Sequence, residues 1–129
     1  MAGLDPAIHP PRVHAARKPK MRKGYVYILT NKPYGTLYTG VTNDMATRLD
    51  AHRRGVASTF TKKYALTRLV YYEIHDLVTD AIQRETSIKR WKRDWKIELI
   101  EKMNTDWKEL DYTLMTVFRA QTRAGWVAG

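Results

Sequence analysis

The 129-residue chain has no cysteine, which excludes disulfides and thiolate metal sites, so any metal must sit on oxygen or imidazole ligands. Its histidines, at positions 9, 14, 52 and 75, are scattered, and no two have the spacing of a zinc site. No apolar run reaches transmembrane length, and the start lacks the unbroken apolar core of a secretory signal. We therefore expect a cytoplasmic protein with no membrane partner. There is no glycine-rich loop of the phosphate-cradling kind and no internal repeat. Acidic residues are scarce: 13 Asp and Glu face 23 Lys and Arg, a formal charge of +10. That imbalance favours encounter with nucleic acid or an anionic surface without choosing between them. The length suits one modest core and is short for two ordinary domains.

Residues 1–22 hold prolines at 6, 10, 11 and 19, with basic residues gathering from Arg17 onward, and offer too little apolar surface to offset their ordering entropy. They read as a flexible basic tail. A domain is expected over 23–112, and residues 113–129 read as a C-terminal tail.

Within that domain, YVYILTN from Tyr25 carries the β-branched and aromatic residues of a pleated surface. Lys32-Pro33-Tyr34-Gly35 supplies turn chemistry, and TLYTGV from Thr36 supplies a second strand, so a β-hairpin is expected. Thr42 or Asn43 is suited to cap a following helix with Asp44 in its first turn, and Gly55 to end it in a left-handed conformation. The stretch from Gly55 to Tyr64, with Lys62 and Lys63, has no period and reads as an exposed loop. Residues 67–75 alternate as a third strand, with Leu69, Tyr71 and Glu73 on one face and Val70, Tyr72 and Ile74 on the other. Bulk on both faces suggests a central position for it. A helix is expected from Asp80 with Glu85 on or beside its inward stripe, an unusual place for a carboxylate. Asp94 opens a further helix with Trp95, Leu99 and Met103 at intervals of four, and Asn104 or Thr105 is suited to cap a short last turn.

Several side chains have chemical potential. Met45, Arg48, Leu49 and His52 share one helical face, so an arginine and a histidine border an apolar stripe and can address a common anion. The plainer alternative is that Arg48 pairs with a surface carboxylate and His52 caps its helix. Tyr25, Tyr27, Tyr38, Tyr71 and Tyr72 suit sheet packing equally well, since a phenol acts as a base near neutrality only beside a cation or metal. Lys89, Arg90, Lys92 and Arg93, interleaved with Trp91 and Trp95, suit either a nucleic-acid surface or a solvated helix face.

Taken in order, Tyr25-Val26-Tyr27, Tyr38-Thr39-Gly40, Arg48, His52 and Glu85 resemble the GIY-YIG nuclease family. Tyrosine stands for the first glycine, and threonine for the isoleucine of the second triplet. The stretch from Ala81 to Trp91, with Asp106-Trp107, is similar to the small stand-alone bacterial branch of putative endonucleases.

The resemblance implies an α+β fold, a small three-stranded antiparallel sheet flanked by helices. It further implies a catalytic set of Tyr27, Tyr38, Arg48 and Glu85 with His52 assisting. The implied reaction is hydrolysis of phosphodiester bonds in DNA with one divalent ion on Glu85, Mg²⁺ or alternatively Mn²⁺. A two-metal site is poorly matched by one inward carboxylate. Lys62, Lys63, Lys89, Arg90, Lys92 and Arg93 are the expected backbone contacts. The competing expectation is a module that binds single-stranded DNA or RNA and cleaves little or not at all.

Overall fold

The computed structural model describes residues 22–111; the two expected tails, 1–22 and 113–129, lie outside that range save for Arg22. The elements are β1 (Gly24–Thr30), β2 (Leu37–Thr42), α1 (Met45–Arg53), α2 (Thr59–Lys63), β3 (Arg68–His75), α3 (Val78–Arg90) and α4 (Arg93–Met103). The three strands pair antiparallel in the order β2-β1-β3, giving the expected α+β class.

β1 takes the centre because it is apolar on both faces, with Val26 through Thr30 all buried. β3 is therefore an edge strand, not the central one its bulk suggested. Its faces differ from simple alternation as well. Ile28 pairs with Tyr71 but Leu29 pairs with Leu69, so a register shift leaves Val70 unmatched in a bulge. Leu69 packs with Tyr27 and Leu29, joined by Tyr72 and Ile74, whereas Val70 and Tyr71 pack with Ile28 on the opposite side. The bulge turns the strand and moves Tyr71 away from the Leu69 face.

The hairpin turn closes through the Gly35 amide, which donates to the Lys32 carbonyl at 2.9 Å, with Tyr34 at a positive φ of 57° in the position where a type II turn requires one. Asp44, not Thr42 or Asn43, caps α1: its carboxylate accepts from the Thr47 amide, while the Thr42 hydroxyl accepts from the Asp44 amide. Gly55 ends α1 as expected, at φ +74°, with its amide bonded to the His52 carbonyl and that of Val56 to the Ala51 carbonyl.

The expected loop before β3 contains a short helix, α2, because Ser58 accepts from the Thr61 amide and caps it. α1 and the residues after α2 cover one face of the sheet through Met45, Leu49 and Leu66. On the other face, α3 begins at Val78, slightly before Asp80, and buries Ala81, Glu85 and Ile88. The inward residues of α4 are Ile100, fully buried, with Ile97 and Leu99 packed beside it; Trp95 and Met103 are exposed. Asn104 does not open a last helical turn. It is buried, and its amide nitrogen donates to the Val70 and Lys108 carbonyls, drawing the chain back toward β3 so that Trp107 fills the core.

Candidate active site

The site is built on the face where β1 and β2 meet α1. Tyr27 and Gly40 are cross-strand partners, and the tyrosine ring lies against the glycine so closely that a Cβ at 40 would meet its Cζ and hydroxyl oxygen at 2.5 Å. Any side chain at 40 would displace the ring. Tyr38 packs beside Tyr27, ring centroids 6.2 Å apart, and is half-buried where Tyr27 is fully buried.

α1 brings His52 over both rings, at 5.7 Å from Tyr27 and 5.3 Å from Tyr38. The His52 Nε2 lies 2.9 Å from the Tyr27 hydroxyl, and its Nδ1 lies 3.1 Å from the Thr61 hydroxyl on α2. Thr61 in turn donates to the Ser58 carbonyl. His52 therefore does more than end its helix. Burial, assisted by the positive charge of Arg48, lowers its pKa from 6.5 to about 4, so the ring is neutral at pH 7.

Burial likewise pushes the Tyr27 phenol well above its ordinary range; the adjacent Tyr38 and the charge of Glu85 add to the rise, and Arg48 opposes it. The contacts therefore bring Tyr27, Tyr38 and His52 together, while Arg48, on the same helix as His52, and Glu85, on α3, act on the Tyr27 hydroxyl through their charge. Arg48 is half-buried, and among the described residues no carboxylate forms an ion pair with it. The alternative of a surface ion pair finds no partner for Arg48 among the described residues.

Glu85 approaches from α3, buried as the sequence pattern indicated, and its carboxylate is 2.6 Å from the Lys89 ammonium one turn on. Among the described residues no three His, Cys, Asp or Glu side chains gather as a metal cluster. A single carboxylate does not fit tetrahedral zinc; it fits a hard cation that keeps most of its waters.

The expected phosphate contacts divide. Lys62 and Lys63 are exposed on α2, beside exposed Phe60 and Tyr64, with the Lys63 ammonium 5.3 Å from the Tyr64 ring centre. Phe60 stacks on Tyr38 at 6.4 Å, so the aromatic row runs from the surface to the site. Arg90 and Lys92 are exposed, and Lys92 lies over the Trp95 ring. Lys89 is held by Glu85, and Arg93 donates to the Tyr34 and Gly35 carbonyls at 2.7 and 2.8 Å, bracing the hairpin turn.

Tyr71 stands apart: its hydroxyl donates to Glu73, which Arg84 grips through both carboxylate oxygens and His75 also contacts, tying α3 to β3. Tyr25 and Tyr72 pack against the core on the Tyr27 side. Thr61 is not among the site residues expected from the sequence. Its only local signal was Ser58 three residues earlier, the spacing of a helix cap.

A sequence model described as the GIY-YIG catalytic domain matches residues 23–98. The chain is 39% identical over 80 residues to a UPF0213 protein of Staphylococcus saprophyticus, covering 62% of this chain and 96% of that protein. It is 36% identical over 81 residues to a UPF0213 protein of Staphylococcus aureus, covering 63% of this chain and 98% of the relative. No solved structure matches the chain.

Proposed function

The chain belongs to the GIY-YIG family, and on that premise we propose that it is an endonuclease that hydrolyses phosphodiester bonds in DNA with the help of one divalent cation. The observation that carries this reading is the buried hydrogen bond between the Tyr27 hydroxyl and a neutral His52, beside an arginine with no carboxylate partner among the described residues and an inward glutamate.

In this reading Tyr27 takes a proton from the attacking water as its own proton passes to His52 Nε2. A buried phenol with a raised pKa does not ionise by itself at pH 7, so an acceptor at 2.9 Å gives the proton somewhere to go. Tyr38, more open to solvent, orients the water or a phosphate oxygen. Arg48 neutralises charge that builds on the phosphorus centre. Glu85 is the residue that would hold Mg²⁺ or Mn²⁺, and the ion's contribution is Lewis-acid polarisation of the scissile phosphate. Lys62, Lys63, Arg90 and Lys92 supply phosphate contacts that position the substrate without reading its sequence.

One observation favours a second reading, a nucleic-acid-binding module that cleaves little: Lys89 already neutralises the one carboxylate suited to a metal. The two readings separate in a cleavage assay on labelled duplex, single-stranded and branched DNA, with Mg²⁺ or Mn²⁺ against chelator, comparing wild type with Glu85→Gln. Cleavage that requires both metal and Glu85 supports the nuclease. Binding to any of these DNAs without cleavage supports the second reading, and equal activity in the variant removes the proposed role of Glu85.

A further inference from the structure

We propose that Thr61 is a positioning residue of this site, whose hydroxyl fixes His52 in the Nδ1–H tautomer and so leaves Nε2 bare to receive the Tyr27 proton. The inference deepens the nuclease reading and rests on it for its catalytic consequence, but the tautomer itself follows from hydrogen-bond counting. A threonine hydroxyl has one proton and two lone pairs. Thr61 directs its proton to the Ser58 carbonyl at 3.2 Å, so it meets His52 Nδ1 at 3.1 Å with a lone pair. Nδ1 must then carry the imidazole proton. Nε2 is left as the acceptor, and the Tyr27 hydroxyl, at 2.9 Å, is the donor. The direction of the whole chain, from Tyr27 to His52 to Thr61 to the Ser58 carbonyl, is set by that last carbonyl, which can only accept.

The local fold serves this arrangement. Thr59, Phe60, Lys62 and Lys63 of α2 are exposed and Thr61 alone is buried. Its amide donates to the Ser58 side chain, and its carbonyl accepts from the Leu66 amide at 2.9 Å. The short helix is thus pinned on both sides of the one residue it turns inward. Without the hydroxyl, Nδ1–H would face an apolar group in a buried setting, and the ring would gain by moving its proton to Nε2, where the Tyr27 oxygen can accept it. That reversal would close the route for the Tyr27 proton.

The test is long-range ¹H–¹⁵N correlation of the His52 ring near neutral pH, in the full chain, for wild type, Thr61→Ser and Thr61→Val, alongside single-turnover cleavage and DNA affinity. We expect the Nδ1–H pattern in wild type and in Thr61→Ser, and a shift toward Nε2–H in Thr61→Val. Thr61→Val should lose about tenfold to a hundredfold in cleavage rate, as a misplaced imidazole proton does to general base catalysis, with DNA affinity unchanged. Thr61→Ser should restore both tautomer and rate. An Nε2–H pattern in wild type would overturn the proposal even if Thr61→Val failed to fold. So would a Thr61→Val protein with wild-type tautomer and rate. Absence of cleavage in wild type would count instead against the nuclease reading, and the spectra would still decide the tautomer.

Discussion

Acidification should weaken this fold through one buried side chain, His52. His52 is buried and neutral, with a pKa of about 4 in the folded chain against 6.5 when exposed. Between those values the unfolded chain binds a proton at His52 that the folded chain does not, so stability is fully present above about pH 6.5 and declines as the pH falls toward about 4. Each unit of difference corresponds to about 1.4 kcal/mol, which sets a ceiling of about 3 kcal/mol for the whole interval. Solvent screening beside the half-buried Tyr38 and Arg48 reduces the expected loss to about 1–3 kcal/mol. The shifted carboxyl groups, Asp44, Glu73 and Glu101, all have lowered values, so the stability they contribute is present above their ordinary values of 3.8 to 4.5 and is lost as the pH falls through the lowered ones, overlapping only the acid end of this window. The assay is urea unfolding between about pH 7 and about pH 4.5, comparing wild type with His52→Gln. Because the other histidines are common to both proteins, the comparison isolates His52. The variant should be less stable at neutral pH but should lack most of the decline. Parallel slopes in the two proteins would refute the assignment of a buried neutral imidazole.

Three further outcomes are expected. Gly40→Ala should destabilise the fold by about 1–3 kcal/mol and suppress cleavage, because the new Cβ must push the Tyr27 ring off His52; wild-type melting and activity would show that the close approach is not real. Lys89→Met should tighten Mn²⁺ binding, read by calorimetry or EPR, by at most about fivefold, or about 1 kcal/mol, since the Lys89 ammonium competes for Glu85 from a half-exposed position; weaker or unchanged binding would mean that the lysine does not compete. Replacing Lys62 and Lys63 together with glutamine should lower the dependence of log affinity on log salt by about 2, near one unit for each lost phosphate contact, and an unaltered slope would remove α2 from the binding surface.

Much of the site was legible because its parts obey short-range periods. Arg48 and His52 share a face of α1, and Glu85 falls on the inward stripe of α3 between Ala81 and Ile88; helical spacing alone exposes both facts. The pairing of Tyr27 with Gly40 also follows from a hairpin once its turn is located. What was not legible depends on contacts between elements. The bulge at Val70 arises from matching β3 to β1, and it reassigns Tyr71 to a face that strict alternation denied it. In α4, the interval of four joins Leu99, which packs beside Ile97 and Ile100, to Trp95 and Met103, which are exposed, so spacing alone did not tell the buried face. Thr61 was hidden because its partner, His52, is on the preceding helix and the helix that carries it is only five residues long. Lys89 is the reverse case: its spacing from Glu85 was visible, but a charge that can reach either phosphate or carboxylate does not declare its partner.

The most direct test of the account is the single-turnover rate of DNA cleavage by Tyr27→Phe against wild type, with Mg²⁺ and near-neutral pH, together with the DNA affinity of each. The substitution removes only the hydroxyl that bonds His52 and leaves the ring against Gly40. The account predicts a loss of about a hundredfold or more in rate with affinity preserved, the range expected for a proton-transfer group. A Tyr27→Phe protein that cleaves at the wild-type rate would contradict it.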